Sequence, residues 1–305
     1  MQDISAIVAA YQRIEQTLDT LRRLEACDPR PAEILVHVDA GGDDCAKAVR
    51  VRFPHITVIE SRARVGPGGA RNRLIREARH ELVASFDDDS YPMDNDFFAR
   101  AATFFRRYPD TALVTGVIFH PDEDVVAAEA VSSPTASFGS GGSVFRRSAF
   151  LEAGGFVPLP IAYGMEEEDL ALRLIESGRE LRYTPWLRVY HDADRSRHGA
   201  VDVNAAVIAN IALLAFLRYP ATYWPYGMLQ IVNRVAWCVK VGRRAGLVRG
   251  LLSIPSHLWR HRHHRAPVSV LAMRARAAAR VRRLEAFRAD VATSSGTGLA
   301  AGTST

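Results

Sequence analysis

The sequence predicts an α/β fold built on an open sheet, followed by a helical and strongly basic C-terminal region. Three observations point there. Short Val- and Ile-rich runs alternate with helical stretches over roughly the first two hundred residues, the pattern of a sheet covered on both faces. Acids or glycines follow the ends of several of these runs, where an α/β sheet carries its ligands. The charge then changes sign: residues 1–217 hold 24 Arg/Lys and 32 Asp/Glu, residues 218–305 hold 15 and 2, so −8 and +13 sum to the chain's +5.

The elements follow in order. Residues 4–9 read as a buried strand, and 15–24 as a helix with Leu18, Leu21 and Leu24 on one face. A second strand spans 34–38 and ends at Asp39; Asp44, after the Gly41-Gly42 loop, is placed to cap a helix over 45–51. A third strand at 56–59 leads into Gly66-Pro67-Gly68-Gly69, with a helix expected from about residue 70 to 79. The fourth strand, 82–86, stops at Asp87-Asp88-Asp89. An amphipathic helix at 96–107 and a strand at 112–119 come next, then the small, Gly-rich stretch 137–143. Helices are expected at 148–153 and 166–177, the latter ended by Gly178 at C′, and short edge strands at 182–184 and 188–190 around Pro185-Trp186.

Length and composition set bounds. At 305 residues the chain can bury one large domain or one and a half, and its composition is that of an ordinary soluble protein. Cys27, Cys45 and Cys238 lie far apart without metal-type spacing, which argues against a disulfide framework or a zinc site and fits a reduced setting. The N-terminus has no signal-peptide pattern, and the longest apolar run, 203–217, is 15 residues and interrupted by Asn204 and Asn210. The expectation is a cytoplasmic chain without a membrane span, peripheral at the inner face of the plasma membrane if the basic region meets lipid.

Four clusters carry possible chemistry. Asp87, Asp88 and Asp89 at a strand's carboxyl end repel one another unless a cation or donors compensate them; Mg²⁺ or Mn²⁺ suits such oxygen ligands. The bland reading is a solvated acidic turn ahead of a helix. Glu166-Glu167-Glu168-Asp169 opens a helix, where the macrodipole alone favours acids; a carboxylate raised in pKa there would also serve as a general base. Gly66 to Gly69 admits close backbone approach to phosphates but is neither a Walker loop nor a dinucleotide fingerprint. His191, in Val189-Tyr190-His191-Asp192, is a candidate metal ligand or simply a packed histidine.

The joint order is more specific than any one cluster. Val38-Asp39, Ala70-Arg71-Asn72, Phe86 with its three aspartates, Gly141-Gly142-Ser143, Gly154-Gly155-Phe156, the acid row with Asp169-Leu170, and Tyr190-His191 follow one another as in family 2 glycosyltransferases. The stretch from Ile4 to Asp192 resembles that family. The resemblance implies a GT-A fold, a Rossmann-like mixed sheet for nucleoside-diphosphate sugars, and an inverting, metal-dependent hexosyl- or deoxyhexosyltransferase acting in cell-surface polysaccharide or glycoconjugate synthesis. It implies a catalytic domain over 1–202, with a donor half at about 1–110 and an acceptor half at 111–202, then a helical region at 203–292 and a disordered tail at 293–305.

Position by position, the resemblance implies that Ala10, Tyr11 and Asp39 meet the nucleobase and that Arg71 reaches base or phosphates. Asp87 would face ribose or metal and Asp88 holds the middle of the DXD signature. Asp87, Asp89 and His191 would hold Mg²⁺ or Mn²⁺. Gly142 would line the donor pocket on its acceptor side. Glu167 would be the base, with Glu166 or Asp169 positioning the acceptor. The implied partners are a UDP- or dTDP-sugar donor and a glycan or lipid-linked acceptor.

The C-terminal third mixes arginine with Ile208, Ile211, Leu214, Phe216, Tyr219, Tyr223, Trp224, Tyr226, Trp237 and Trp259, and holds the dense patch 259–265. That composition suits an anionic membrane surface, or equally a helical appendage with a solvated basic face. His261, His263 and His264 sit among arginines, poor company for a cation. Two other readings compete: a sugar-phosphate nucleotidyltransferase, which wants a Gly-rich basic loop after the first strand where Ala9-Ala10-Tyr11-Gln12 stands, and a non-enzymatic membrane or nucleic-acid binder, which leaves the acidic clusters unused. No nucleic-acid partner is expected.

Overall fold

A computed structural model of the chain describes residues 2–40, 43–121, 123–192 and 200–282, with Asp43 described by its backbone alone. The Gly41-Gly42 loop, the end of the basic region and the 293–305 tail lie outside the described residues.

The N-terminal part is one mixed sheet of nine strands: β1 Ile4–Ala10, β2 Glu33–Val38, β3 Thr57–Glu60, β4 Leu82–Asp87, β5 Ser90–Pro92, β6 Thr111–Phe119, β7 Ser133–Pro134, β8 Gly142–Arg146 and β9 Glu180–His191. The order is β3-β2-β1-β4-β8-β6-β9-β5, with β7 paired to β9. β3, β2, β1 and β4 are parallel; β8 runs antiparallel between β4 and β6, and β6 pairs parallel with β9. The C-termini of β1, β2, β4 and β9 and the N-terminus of β8 therefore share one edge.

Alternation divides the strands between two apolar layers. Ile4, Ala6 and Val8 of β1 and Leu82, Ala84 and Phe86 of β4 face α1 (Ile14–Glu25), α2 (Asp43–Arg52) and α4 (Phe97–Arg107). Ile7 and Val83 face the layer completed by α3 (Gly66–Glu77), α5 (Arg147–Glu152) and α6 (Glu166–Glu176). A third cluster joins Val157, Leu159, Met165 and Leu172 to α7 (Val201–Arg218) and to Val268, Ala272 and Met273. Helices α8 (Trp224–Lys240) and α9 (Leu247–His261) follow, and residues 270–282 form α10.

Several expectations need correction. Asp44 lies within α2 rather than capping it. Helix α3 begins at Gly66, so the glycines form its first turn; Gly66 takes φ +73°, and a Cβ there would lie 2.0 Å from the Leu159 carbonyl oxygen. The two short edge strands are one interior strand, β9. Two steps on β6 (Thr115 to Val117) face five on β9 (Tyr183 to Arg188), so Pro185-Trp186 form a bulge instead of ending the strand. The Gly-rich stretch runs into a buried strand, β8, whose β signal is hidden by Gly142 and the glycines just before it. Gly178, with φ +74°, closes α6 as expected.

Helix α7 is long and apolar enough to cross a membrane, yet most of it is buried inside the protein. Its Asn210 amide donates to the Ile161 and Tyr163 carbonyls at 2.9 and 3.0 Å. It is the core helix of the C-terminal region.

Candidate active site

The shared edge gathers the acids. β4 delivers Asp87 to Asp89, and Ser90 latches them: its hydroxyl accepts from the Asp87 N–H at 2.7 Å and donates to the Gly141 carbonyl at 2.9 Å. Asp87 lies so close to Gly141 that a Cβ there would stand 2.2 Å from its Oδ2, which is why that position takes glycine. Gly142 itself pairs with Phe86 in the sheet, one residue from this contact.

β9 ends with His191 beside the same acids. Its Nε2 lies 3.1 Å from Asp89 Oδ1 and 3.9 Å from Asp87 Oδ2. Burial disfavours a charged His191, but the Asp89 hydrogen bond and the charges of Asp87 and Asp89 outweigh it and raise the imidazole above its ordinary value. Burial likewise works against Asp89, and the bonds and charges of His191 and Arg13 hold it below the usual range. One ligand atom from each of Asp87, Asp89 and His191 falls within 4.8 Å of the others, the only such group among the described residues. Two carboxylates and an imidazole suit Mg²⁺ or Mn²⁺. The Arg13 guanidinium, hydrogen-bonded to Asp89 and 3.5 Å from Asp88, shows that the cluster already draws positive charge. The residues fit a divalent cation.

Asp88 turns away from that group. It accepts from the Tyr11 N–H at 2.9 Å, and burial pushes its carboxyl up to about 7 despite that bond. It braces the β1–α1 loop, where Gln12 takes the left-handed φ of 59°, a backbone state rare for a residue with a side chain. Ala10 ends β1 buried. The Tyr11 ring carries the Arg64 guanidinium 4.8 Å from its centre. Asp39 reaches the expected edge but is used by its neighbours, accepting from Ala40 N–H, Ser61 hydroxyl, Val65 N–H and Gly66 N–H at 2.7–3.2 Å. As placed, it fixes the start of α3.

Arg71 joins the two acidic clusters. Fully buried on α3, it bonds Asp87 and Ser85 and lies 3.4 Å from Glu166. Glu166 packs against Gly68, where a Cβ would stand 2.6 Å from its Oε2. Burial, reinforced by Glu167 and opposed by Arg71, pushes Glu166 up to about 8. Glu167 is partly exposed and accepts from the Ser140 hydroxyl at 3.0 Å. Ser140 adjoins Gly141 and hence Asp87, so Asp87 and the first two glutamates belong to one connected cluster.

The remaining acids of the row do not share it. Glu168 pairs with Arg276 and Arg280. Asp169 is wholly buried between Arg173 and Arg218, with Arg218 Nε at 2.6 Å. The suggestion that Asp169 positions an acceptor is therefore corrected: both its oxygens are committed to holding α6 against α7.

Arg13, Ser90 and Ser140 were not singled out from the sequence. Their signal is weak, since a lone arginine or serine gains meaning only from partners 76, 51 and 27 residues away. Beyond the loop, Thr115, Gly116, Ile118, Phe138, Gly139 and Tyr183 line a cavity of about 340 Å³ that contains no carboxylate; its Gly139 wall adjoins Ser140.

Comparison with known proteins adds a family. Residues 5–151 match the sequence model described as Glycosyl transferase family 2. Among curated proteins, none matches the chain significantly. Solved structures with the same architecture include GalNAc-T7 with UDP, GalNAc and Mn²⁺, at 12% identity and a TM-score of 0.57, covering 72% of this chain and 49% of that one. A mannosyltransferase of Pyrobaculum calidifontis in complex with GDP-Man and Mn²⁺ is 19% identical with a TM-score of 0.56, covering 95% and 80%. Residues 1–349 of S. aureus TarS are 16% identical with a TM-score of 0.53, covering 77% and 72%. The chain thus spans about half the length of the GalNAc-T7 structure. At these identities the likeness establishes the fold, GT-A.

Proposed function

From the match of residues 5–151 to glycosyl transferase family 2, we propose that the chain is a member of that family, an inverting, metal-dependent transferase moving a hexose or deoxyhexose from a nucleoside-diphosphate sugar to an acceptor hydroxyl. The observation that carries the reading is the connected cluster in which Asp87, Asp89 and His191 stand on one side of Arg71 and Ser140, with Glu166 and Glu167 on the other.

A divalent cation bound by Asp87, Asp89 and His191 would supply positive charge beside the donor's diphosphate. The residues around it divide the remaining work. Tyr11 and Arg64 offer a stacking surface for the base, for which uracil or thymine is the expected identity. Arg71 holds Asp87 in place and adds a second positive charge. Ser140 orients Glu167, whose carboxylate takes the proton from the acceptor hydroxyl as that oxygen attacks the anomeric carbon. The bond from that carbon to the diphosphate oxygen breaks, its electron pair leaves with the diphosphate, and one displacement inverts the centre. The cavity beside Gly139 is the acceptor's expected recess, for a glycan or lipid-linked acceptor of cell-surface synthesis.

Calorimetry with UDP-, dTDP- and GDP-sugars, with and without Mn²⁺, tests this. Donor binding is expected to tighten with Mn²⁺ in the parent protein and to lose that dependence in Asp89→Asn. Nucleotide affinity indifferent to Mn²⁺ would refute the metal assignment. Release of pyrophosphate from a nucleoside triphosphate and a sugar phosphate would move the chain to nucleotidyl transfer.

A further inference from the structure

We propose that the outer face of the α8–α9 hairpin is a docking surface for an anionic lipid bilayer. The inner sides of the two helices are accounted for. Ile231, Val235 and Cys238 of α8 and Leu247 and Ile254 of α9 meet Ile208 of α7 in one apolar cluster. Gly227 and Gly250 permit the close approach: a Cβ at Gly227 would stand 2.6 Å from the Ala215 side chain, and one at Gly250 would stand 2.9 Å from the Ala205 carbonyl oxygen. The hairpin is therefore packed tightly on α7, and what faces away from α7 is left to the surroundings.

That outer face is apolar. On α9, Val248, Leu252, Pro255 and Trp259 recur at steps of four, three and four, one helical stripe, with Val248 70%, Leu252 77% and Trp259 68% exposed. On α8, Met228 and Val232 do the same at 67% and 61% exposure, continued by Ala236 and Val239. Helices bathed in water carry charged residues at such positions, and an apolar surface of this extent marks an interaction site.

The charge chooses the partner. No Asp or Glu occurs from Val203 to Arg282, while Lys240, Arg243, Arg244, Arg249, Arg260 and Arg262 surround the stripes. Guanidinium groups lie over the exposed indoles: Arg234 4.5 Å and Arg243 5.4 Å from Trp237, and Arg262 3.8 Å from Trp259. A second copy would bury the stripes but set cation against cation across a two-fold interface. A nucleic acid would match the charge and leave the aliphatic stripe wet. An anionic bilayer satisfies both, with acyl chains for Leu252 and Met228 and headgroups for the arginines. This corrects the aromatic face read from the sequence: Leu214 and Tyr219 are buried against the catalytic part and Ile208 against α8 and α9, and the outward residues are those of α8 and α9.

Sedimentation of the full chain with vesicles tests the proposal independently of sugar transfer. Equal parts phosphatidylcholine and phosphatidylglycerol are expected to bind the protein at least ~10-fold more tightly than phosphatidylcholine alone, and less so as salt rises. Leu252→Ser with Trp259→Ser, which leaves the charge unchanged, should weaken binding about 10-fold while the melting temperature and donor affinity stay at parent values. Arg260→Gln with Arg262→Gln should weaken it comparably and flatten the salt dependence. Failure to bind anionic vesicles at low salt, or serine variants that bind like the parent, would overturn the proposal. A dimer that the serine variants dissolve, or DNA binding without vesicle binding, would overturn it in favour of those partners.

Discussion

At the residue scale the site depends on single carboxylates and on the glycines beside them. Glu167→Gln should leave nucleotide affinity unchanged by calorimetry while transfer falls roughly 100-fold or more, the usual worth of a general base. Parent-rate transfer by that variant would move the base elsewhere, first to Glu166. Gly68→Ala places a methyl 2.6 Å from Glu166 Oε2 and 2.8 Å from the Phe156 Cβ, both buried. It should cost about 1–3 kcal/mol in thermal unfolding and weaken donor binding, because Glu166 cannot yield without releasing Arg71. Asp87, Asp89 and His191 could be grouped from the sequence through the family resemblance, and the strand ends that carry them do meet at one edge of the sheet. The bracing tasks of Asp39, Asp88 and Asp169 could not, because each depends on partners that tertiary packing supplies: loop N–H groups for Asp39, Tyr11 for Asp88, Arg218 for Asp169.

At the element scale, β9 and α4 are tied by one ion cluster. Asp94, just ahead of α4, accepts from Arg188 of β9 at 2.9 and 2.5 Å and pairs with Arg100 at 2.9 Å. The Arg188 hydrogen bond, then the Arg100 charge, hold Asp94 below the usual carboxylate range against the effect of burial. A depressed pKa in the fold stabilises above the unfolded value and is lost as pH falls through the folded one. Asp94→Asn should therefore destabilise the protein by about 2 kcal/mol at neutral pH, and the gap to the parent should close below about pH 4 in urea melts. The same strand shows where pattern reading stops. The buried strands β1, β2 and β4 are plain in their continuous apolar runs, whereas the β9 bulge at Pro185-Trp186 exists because Gly116 lets the Leu187 carbonyl approach: a Cβ there would be 2.3 Å away.

At the scale of the whole molecule, the basic helices are bound to the catalytic part through the acid row. Arg218 of α7 meets Asp169, and Arg276 and Arg280 of α10 meet Glu168, two positions and one position beyond the proposed base. Arg218→Ala leaves buried Asp169 with Arg173 alone; a loss of about 3–5 kcal/mol is expected in thermal or urea unfolding, the cost of breaking a buried pair from one side. The boundary expected near residue 202 is thus crossed by buried ion pairs that composition alone does not disclose.

The pairing of β5 with β9 bears on how the protein is made. Arg71 must wait for Glu166, 95 residues later, and Ser90 to Pro92 for the strand that brings His191. A ribosome working from the N-terminus releases the three aspartates well before the histidine that faces them, and the matched segment ending at residue 151 contains neither that histidine nor the glutamates. A nascent chain stopped there would carry the acids with Arg13 and Arg71 but without His191, so competence should arrive in a single late step, when β9 slides in beside β6.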